Sequence, residues 1–248
     1  MPKKTSLLQY LMRTGLFRTA HDAEQAVRSG KVNVRQQTVT NPRHFFNPKT
    51  DFVFVDGRPA KAVRKLYFIL NKPVGAICQK SKEEETIYGL LAGLPLSKEE
   101  KSSLFAVGRL DRVTEGLLII TNDGELSRAL MQPDAGARKT YRVVSQRPLR
   151  PADARMLEQG VSIISEGEPY TTRPCTIKAT GNTTFLITLT EGRKNQIKLM
   201  LDAVGNEVAH LKRLSIGSLG LGSLKPGELR QATKEEILSL CPPPSKKD

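Results

Sequence analysis

The run Leu117-Leu118-Ile119-Ile120 constrains this chain more than any other stretch. Four consecutive apolar residues, closed by the turn residues Asn122-Asp123-Gly124, read as a strand buried in a core. The residues before it are Gly108-Arg109-Leu110-Asp111-Arg112-Val113-Thr114-Glu115-Gly116. There a single carboxylate, Asp111, stands between two arginines at the point where the chain enters that core.

Other segments fill in the architecture. Tyr67-Phe68-Ile69-Leu70 reads as a strand that ends at Asn71-Lys72-Pro73, because proline supplies no ladder donor. A helix is predicted from about Glu125 to Met131, and a strand begins at Tyr141-Arg142-Val143-Val144. Another helix falls within Pro148 to Gly160. Phe185, Ile187 and Leu189 alternate with Thr184, Thr188 and Thr190, the pattern of a half-buried strand. Residues 80–103 are polar and charged, with one helical piece around Ile87 to Leu91. Glu191-Gly192-Arg193-Lys194-Asn195 forms a tight loop into a helix that carries Ile197, Met200, Leu201 and Val204 on one face and ends at Gly205. Strands and helices without a regular βαβ period point to an α+β fold.

The first sixty residues read as a unit of their own. Ser6 can cap a helix bearing Leu7, Leu8, Leu11 and Met12, and Thr19 a second one bearing Ala23, Ala26 and Val27 that stops at Gly30. Val32 and Val34 alternate as a short strand, and Phe52 to Val55 form another, ended by Asp56-Gly57. Charge marks the same unit. Residues 1–65 hold thirteen Lys and Arg against four acids, a surplus of +9 out of the +14 of the whole chain. A surplus this localised favours a polyanion-binding surface over a merely solvated charged face. Its candidates are Arg13, Arg18, Arg28 and Lys31, which follow helix ends and the first strand. Lys61 to Lys65 read as a basic linker. The expected organisation is therefore a basic unit suited to an RNA backbone over 1–62, a larger α+β domain over 63–240, and a disordered tail over 241–248, where Cys241 is followed by three prolines.

Several chemistries are excluded. Cys78, Cys175 and Cys241 lie far apart and only three histidines occur, so neither a disulfide framework nor a metal site is indicated. No nucleotide-binding glycine fingerprint and no serine or cysteine nucleophile motif is present, so neither nucleotide hydrolysis nor dinucleotide redox chemistry is indicated. No apolar run approaches the roughly 20 residues that a bilayer span needs. The N-terminus does not read as a secretory leader, and a cytoplasmic location is expected. What remains is Asp111 between Arg109 and Arg112, and a cluster of Arg193, Lys194 and Lys198 at a helix start, where amide donors and cations make an anion site. A lone aspartate can act as nucleophile or base when a cation keeps it ionised. It can equally pair with Arg109 at a strand edge, and chemistry alone leaves both open.

These segments resemble a known family. Gly108-Arg109-Leu110-Asp111, with Thr114, Gly116-Leu117 and Thr121-Asn122-Asp123-Gly124, is similar to the catalytic motif of bacterial ribosomal RNA pseudouridine synthases that modify single uridines. Leu70-Asn71-Lys72-Pro73-Val74-Gly75, Lys139-Thr140-Tyr141-Arg142-Val143 and Gly192-Arg193-Lys194-Asn195-Gln196-Ile197-Lys198 resemble its other motifs. The first sixty residues resemble the S-four-like RNA-binding module. The resemblance implies a mixed, mainly antiparallel sheet with flanking helices, a cofactor-free isomerase, and ribosomal RNA or a precursor particle as partner of a monomeric protein. It implies that Asp111 attacks the target nucleotide, that Tyr141 stacks on the extruded uracil, that Lys198 pairs with Asp111, and that Leu201 walls the pocket. Arg109 would hold neighbouring RNA or the gap left by the flipped base, with Arg112, Arg193 and Lys194 as further RNA contacts. An inactive RNA-binding assembly factor and a synthase acting on transfer RNA are the alternatives. The chain departs from its relatives in two places. Lys198-Leu199 stands where a pair of arginines is common, and Val34-Arg35-Gln36 stands where Val-Asn-Gly is frequent.

Overall fold

The Leu117–Ile120 run lies inside an eight-residue strand, Thr114–Thr121, in which every residue but Glu115 is buried. The structure is a computed structural model that describes residues 4–79, 81, 85–131 and 137–240. The chain divides into two compact units, Met1–Leu66 with Leu91–Phe105, and Tyr67–Leu90 with Ala106–Asp248.

The larger unit is built on one sheet. Its strands run in the order Thr176–Ala179, Thr184–Leu189, Lys139–Ser145, Val208–Ile216, Thr114–Thr121, Tyr67–Lys72 and Leu229–Gln231. Val208–Ile216 and Thr114–Thr121 run parallel. The other neighbours on this path are antiparallel. The sheet is thus mixed and mainly antiparallel, as expected, with helices Gly124–Met131, Pro151–Gln159 and Gln196–Ala203 in the same unit. Tyr67, Ile69, Leu117, Ile119, Leu126 and Ile237 belong to one buried apolar cluster, so the strands with the strongest apolar runs make the core. Gly116 stands opposite Arg213 in the parallel pairing. A side chain there would meet the Arg213 carbonyl oxygen at 2.2 Å, so the two strands close up only around glycine.

Three elements had no apolar signature. Val208–Ile216 is the longest strand, yet His210, Lys212 and Arg213 interrupt its alternation, and Arg213 occupies a core position. The hairpin Ser162–Ser165/Glu168–Thr171 turns on Glu166-Gly167, both at positive φ. The helix Lys98–Ser103 lies in the stretch read as polar. A capping box, with Ser97 and Glu100 satisfying each other's amides, marks it where periodicity does not.

In the smaller unit Ser6 and Thr19 cap their helices, Leu7–Met12 and Ala20–Arg28, as anticipated. Leu7, Leu11, Ala23, Val27, Val32 and Val53 fill its core. Arg35 and Gln36 form the two-residue loop between strands Val32–Val34 and Gln37–Thr38, with φ of 50° and 67°. That is the turn in which Asn-Gly is favoured, so this chain keeps the turn while losing the residues that make it easy. Residues 241–248, expected as a disordered tail, lie outside the described residues.

Candidate active site

Asp111 stands just before the Thr114–Thr121 strand and is fixed from both sides by backbone contacts. The Thr114 amide donates to the Asp111 carbonyl at 3.0 Å, closing a tight turn. Cys78 Sγ accepts from the Leu110 amide at 3.4 Å and donates to the Leu110 carbonyl at 3.3 Å. On the other side the Gly75 amide donates to the Arg112 carbonyl at 2.8 Å. Lys72, fully buried at the end of its strand, donates through Nζ to the carbonyls of Pro73 and Thr114 at 2.9 Å each and of Arg112 at 3.4 Å. Burial pushes the Lys72 ammonium below its ordinary value, while the nearby Cys78, Asp111 and Glu115 oppose that shift. Three carbonyl acceptors satisfy its three protons, so a buried cation clamps the segment that carries Asp111.

A cavity of about 300 Å³ opens in front of this loop, a size that suits a small ligand. Its floor is laid across four adjacent strands, each giving one side chain: Leu189, Tyr141, Leu211 and Thr114. Thr114 Oγ1 is buried without a hydrogen-bond partner among the described residues, leaving a hydroxyl for whatever enters. The loop Gly192–Asn195 and the first turn of the Gln196–Ala203 helix supply another wall. Asn195 starts that helix in the left-handed conformation, φ 56°, without capping it. From the first turn Lys198 reaches back. Its Nζ lies 3.4 Å from Asp111 Oδ2 and 3.5 Å from Asn195 Oδ1. The arrangement offers an anchored carboxylate with a cationic partner, an aromatic face and a rim of further cations. It suits a planar, polyanionic substrate.

The family model for RNA pseudouridylate synthases matches residues 66–203. The chain belongs to this family. An uncharacterized RNA pseudouridine synthase of Bacillus subtilis (strain 168) is 35% identical over 242 residues, covering 95% of this chain and 98% of that one. The ribosomal small subunit pseudouridine synthase A of Escherichia coli (strain K12) is 34% identical over 220 residues, covering 88% of this chain and 92% of its own. A solved pseudouridylate synthase superposes with a TM-score of 0.67 at 29% identity, covering 95% of this chain and 99% of that one. The large unit therefore has the pseudouridine synthase fold, and the chain is an RNA pseudouridine synthase by family.

Of the residues singled out in the sequence, Asp111, Tyr141, Lys198, Arg109, Arg193 and Lys194 line this one cavity. Leu201 does not. It is fully buried in the core, and Ile197, one turn earlier, takes the wall. The two residues share a helix face, but four residues along the axis displace Leu201 by about 6 Å. Arg112 is exposed and lines no part of the cavity, its carbonyl facing inward instead. Arg193 stacks its guanidinium 4.1 Å from the centre of the Tyr170 ring, a cation–π contact. In the smaller unit Arg18, Arg28 and Lys31 are exposed and Arg13 is half-buried. Arg28 is engaged by Glu24 at 2.6 Å on its own helix. Sequence reading gave no role to Lys72, Thr114, Lys139, Glu191 or Arg213. Lys72 announced itself only as a charge at the end of an apolar strand. The Glu191 carboxylate accepts from the Tyr170 hydroxyl, from the Arg173 amide at 2.9 Å and from Gln196 Nε2 at 2.6 Å, so it ties the cationic loop to the hairpin. Among the described residues no group of His, Cys, Asp and Glu could hold a metal, and no helix is long and apolar enough to cross a membrane.

Proposed function

We propose that this enzyme isomerises a uridine of ribosomal RNA to pseudouridine, with Asp111 as the nucleophile. The observation that carries the reading is Asp111, anchored on both sides, facing Lys198 at 3.4 Å in a cavity floored by Tyr141. The reaction breaks the bond from uracil N1 to ribose C1′ and forms one from C5 to C1′; C5 gives up its proton and N1 takes one up, so the product is an isomer. It is neither a redox step nor a net hydrolysis, so it needs no cofactor. The uracil must leave the stack, which costs a few kcal/mol, and stacking on an aromatic face returns roughly 1–3 kcal/mol. Tyr141 offers that face. Lys198 holds the Asp111 carboxylate in place through its contact at Oδ2, and Asp111 attacks the extruded nucleotide. Arg109, Arg193 and Lys194 at the rim hold the flanking backbone.

Ribosomal RNA is proposed as substrate because the Escherichia coli relative is named for the small ribosomal subunit and because the surplus of +9 in residues 1–65 suits a large polyanion. The smaller unit would act as the RNA-binding domain through Arg13, Arg18, Arg28 and Lys31. Cytoplasmic ribosome assembly is the expected setting. The test is Asp111→Asn in a strain lacking the native copy, with pseudouridines in ribosomal and transfer RNA mapped by mass spectrometry. Loss of one site supports the proposal. A mutant that still forms every pseudouridine overturns the role of Asp111, and a site lost from transfer RNA instead overturns the substrate.

A further inference from the structure

A second chamber, of about 640 Å³, adjoins the Asp111 cavity and shares Gly108, Arg109, Tyr141 and Arg193 with it. Two of its lining residues, Lys139 and Arg213, are cations in an unusual state. Arg213 is only 4% exposed. Its Nε donates to the Leu117 carbonyl at 2.7 Å, but its buried Nη2 has no hydrogen-bond partner among the described residues. Lys139 Nζ reaches one weak acceptor, the Ala137 carbonyl at 3.4 Å. Burial and the neighbouring charge of Arg213 both hold the Lys139 ammonium below its ordinary value, with Glu191 opposing them. Glu191 also lines the chamber, but its oxygens are already taken by Tyr170, Arg173 and Gln196.

A β-bulge creates this arrangement. Thr140 pairs with Ser215, yet Tyr141 pairs with Arg213, so Leu214 is skipped and the guanidinium side chain comes opposite Tyr141. Residues opposed in an antiparallel pair share a face of the sheet. Arg213 thus shares a sheet face with the aromatic residue proposed to receive the uracil. A buried guanidinium with an unmet donor, beside a half-buried ammonium, is costly in the free protein. An anion that enters the chamber offsets the charge of both residues.

We propose that this chamber is a phosphate subsite, in which Lys139 and Arg213 receive a backbone phosphate of the nucleotide adjacent to the target uridine. The inference rests on the RNA pseudouridine synthase reading and extends it to a second nucleotide. A phosphate accounts for the charge. A base edge would meet the unpaired donor but leave both cations without a counter-ion.

The test uses the full chain and a transcript of small-subunit ribosomal RNA, with binding measured apart from turnover. For Lys139→Gln the dissociation constant is expected to rise about tenfold near physiological salt. The slope of log K against log salt is expected to shrink by about 0.7, the value for one phosphate of a single strand. Lys139→Arg is expected to restore both. Unchanged affinity overturns the proposal, and so does weaker binding at an unchanged slope, which would mean a base contact. If Lys139→Gln does not fold, the wild type is read instead. Inorganic phosphate should raise its melting temperature above that in chloride of equal ionic strength and should protect Lys139 from amine acylation. Lack of protection overturns the subsite. A wild type that forms no pseudouridine, together with the expected slope change in Lys139→Gln, would sink the functional reading and leave the subsite standing.

Discussion

Lys198 Nζ lies 3.4 Å from Asp111 Oδ2 although 87 residues of sequence separate them. The two side chains are 32% and 38% exposed. A pair so open to solvent contributes less than about 1 kcal/mol to stability. In the proposed reaction it orients the carboxylate toward the nucleotide. Lys198→Met is therefore expected to shift the melting temperature by no more than about 3 °C, the span of 1 kcal/mol in a chain of this size. Pseudouridine formation should fall by about 100-fold, the scale of losing one charged group that steadies the reacting centre. A calorimetric scan beside a single-turnover assay separates the two effects.

Lys72 is the opposite case. It has no exposure, and its three protons meet three carbonyls around the Asp111 loop. Lys72→Met leaves those acceptors buried and unmet, at about 1–3 kcal/mol or more. A fall in the urea midpoint together with lost activity is expected. An active Lys72→Met protein of wild-type stability would contradict the clamp.

The loop Arg35-Gln36 holds two residues that are not glycine at positive φ. Left-handed backbone costs such residues about 1–2 kcal/mol each; glycine escapes that cost, and its greater freedom in the unfolded chain takes back only part of the gain. Gln36→Gly is expected to stabilise the protein by about 1 kcal/mol in chemical denaturation. The Arg35–Asp51 contact of 2.6 Å should survive, because the turn itself is unchanged.

Alkaline pH should destabilise the larger unit. Burial pushes the Cys175 thiol from 9.0 up to about 12, with Glu158 and Glu191 adding to the shift. The Tyr67 phenol is raised by burial and by its 2.9 Å bond to Asp123 Oδ2. A group whose pKa is raised on folding lends stability that is complete below its unfolded value and is lost as pH climbs toward its folded one. The loss thus begins near pH 9.0, the ordinary thiol value, and runs toward about 12. Urea midpoints measured across this range should decline, and Cys175→Ala should flatten the first part of the decline.

In the smaller unit, Arg18 and Lys31 are exposed and lie at helix ends and the first strand. Replacing both with glutamine should weaken RNA binding without regard to sequence and reduce the salt slope by up to about 2. An unchanged slope would remove them from the RNA-binding surface.

The apolar runs of Tyr67–Lys72 and Thr114–Thr121, the caps Ser6 and Thr19, and the alternation in Thr184–Leu189 were all legible in the sequence. Each depends on burial or on a hydrogen bond within a few residues, so local pattern carries it. The same reading brought out Asp111, Tyr141 and Lys198, through motif resemblance rather than through chemistry alone. Only the tertiary structure decided what surrounds them. It brought Lys72 under the Asp111 loop, replaced Leu201 by Ile197 at the cavity wall, and placed Arg213 opposite Tyr141. These outcomes depend on strand register, a bulge and a parallel pairing that closes over Gly116. Register joins residues distant in sequence, and a buried Lys or Arg that finds its partners only across the sheet reads, one residue at a time, like any charge on a surface.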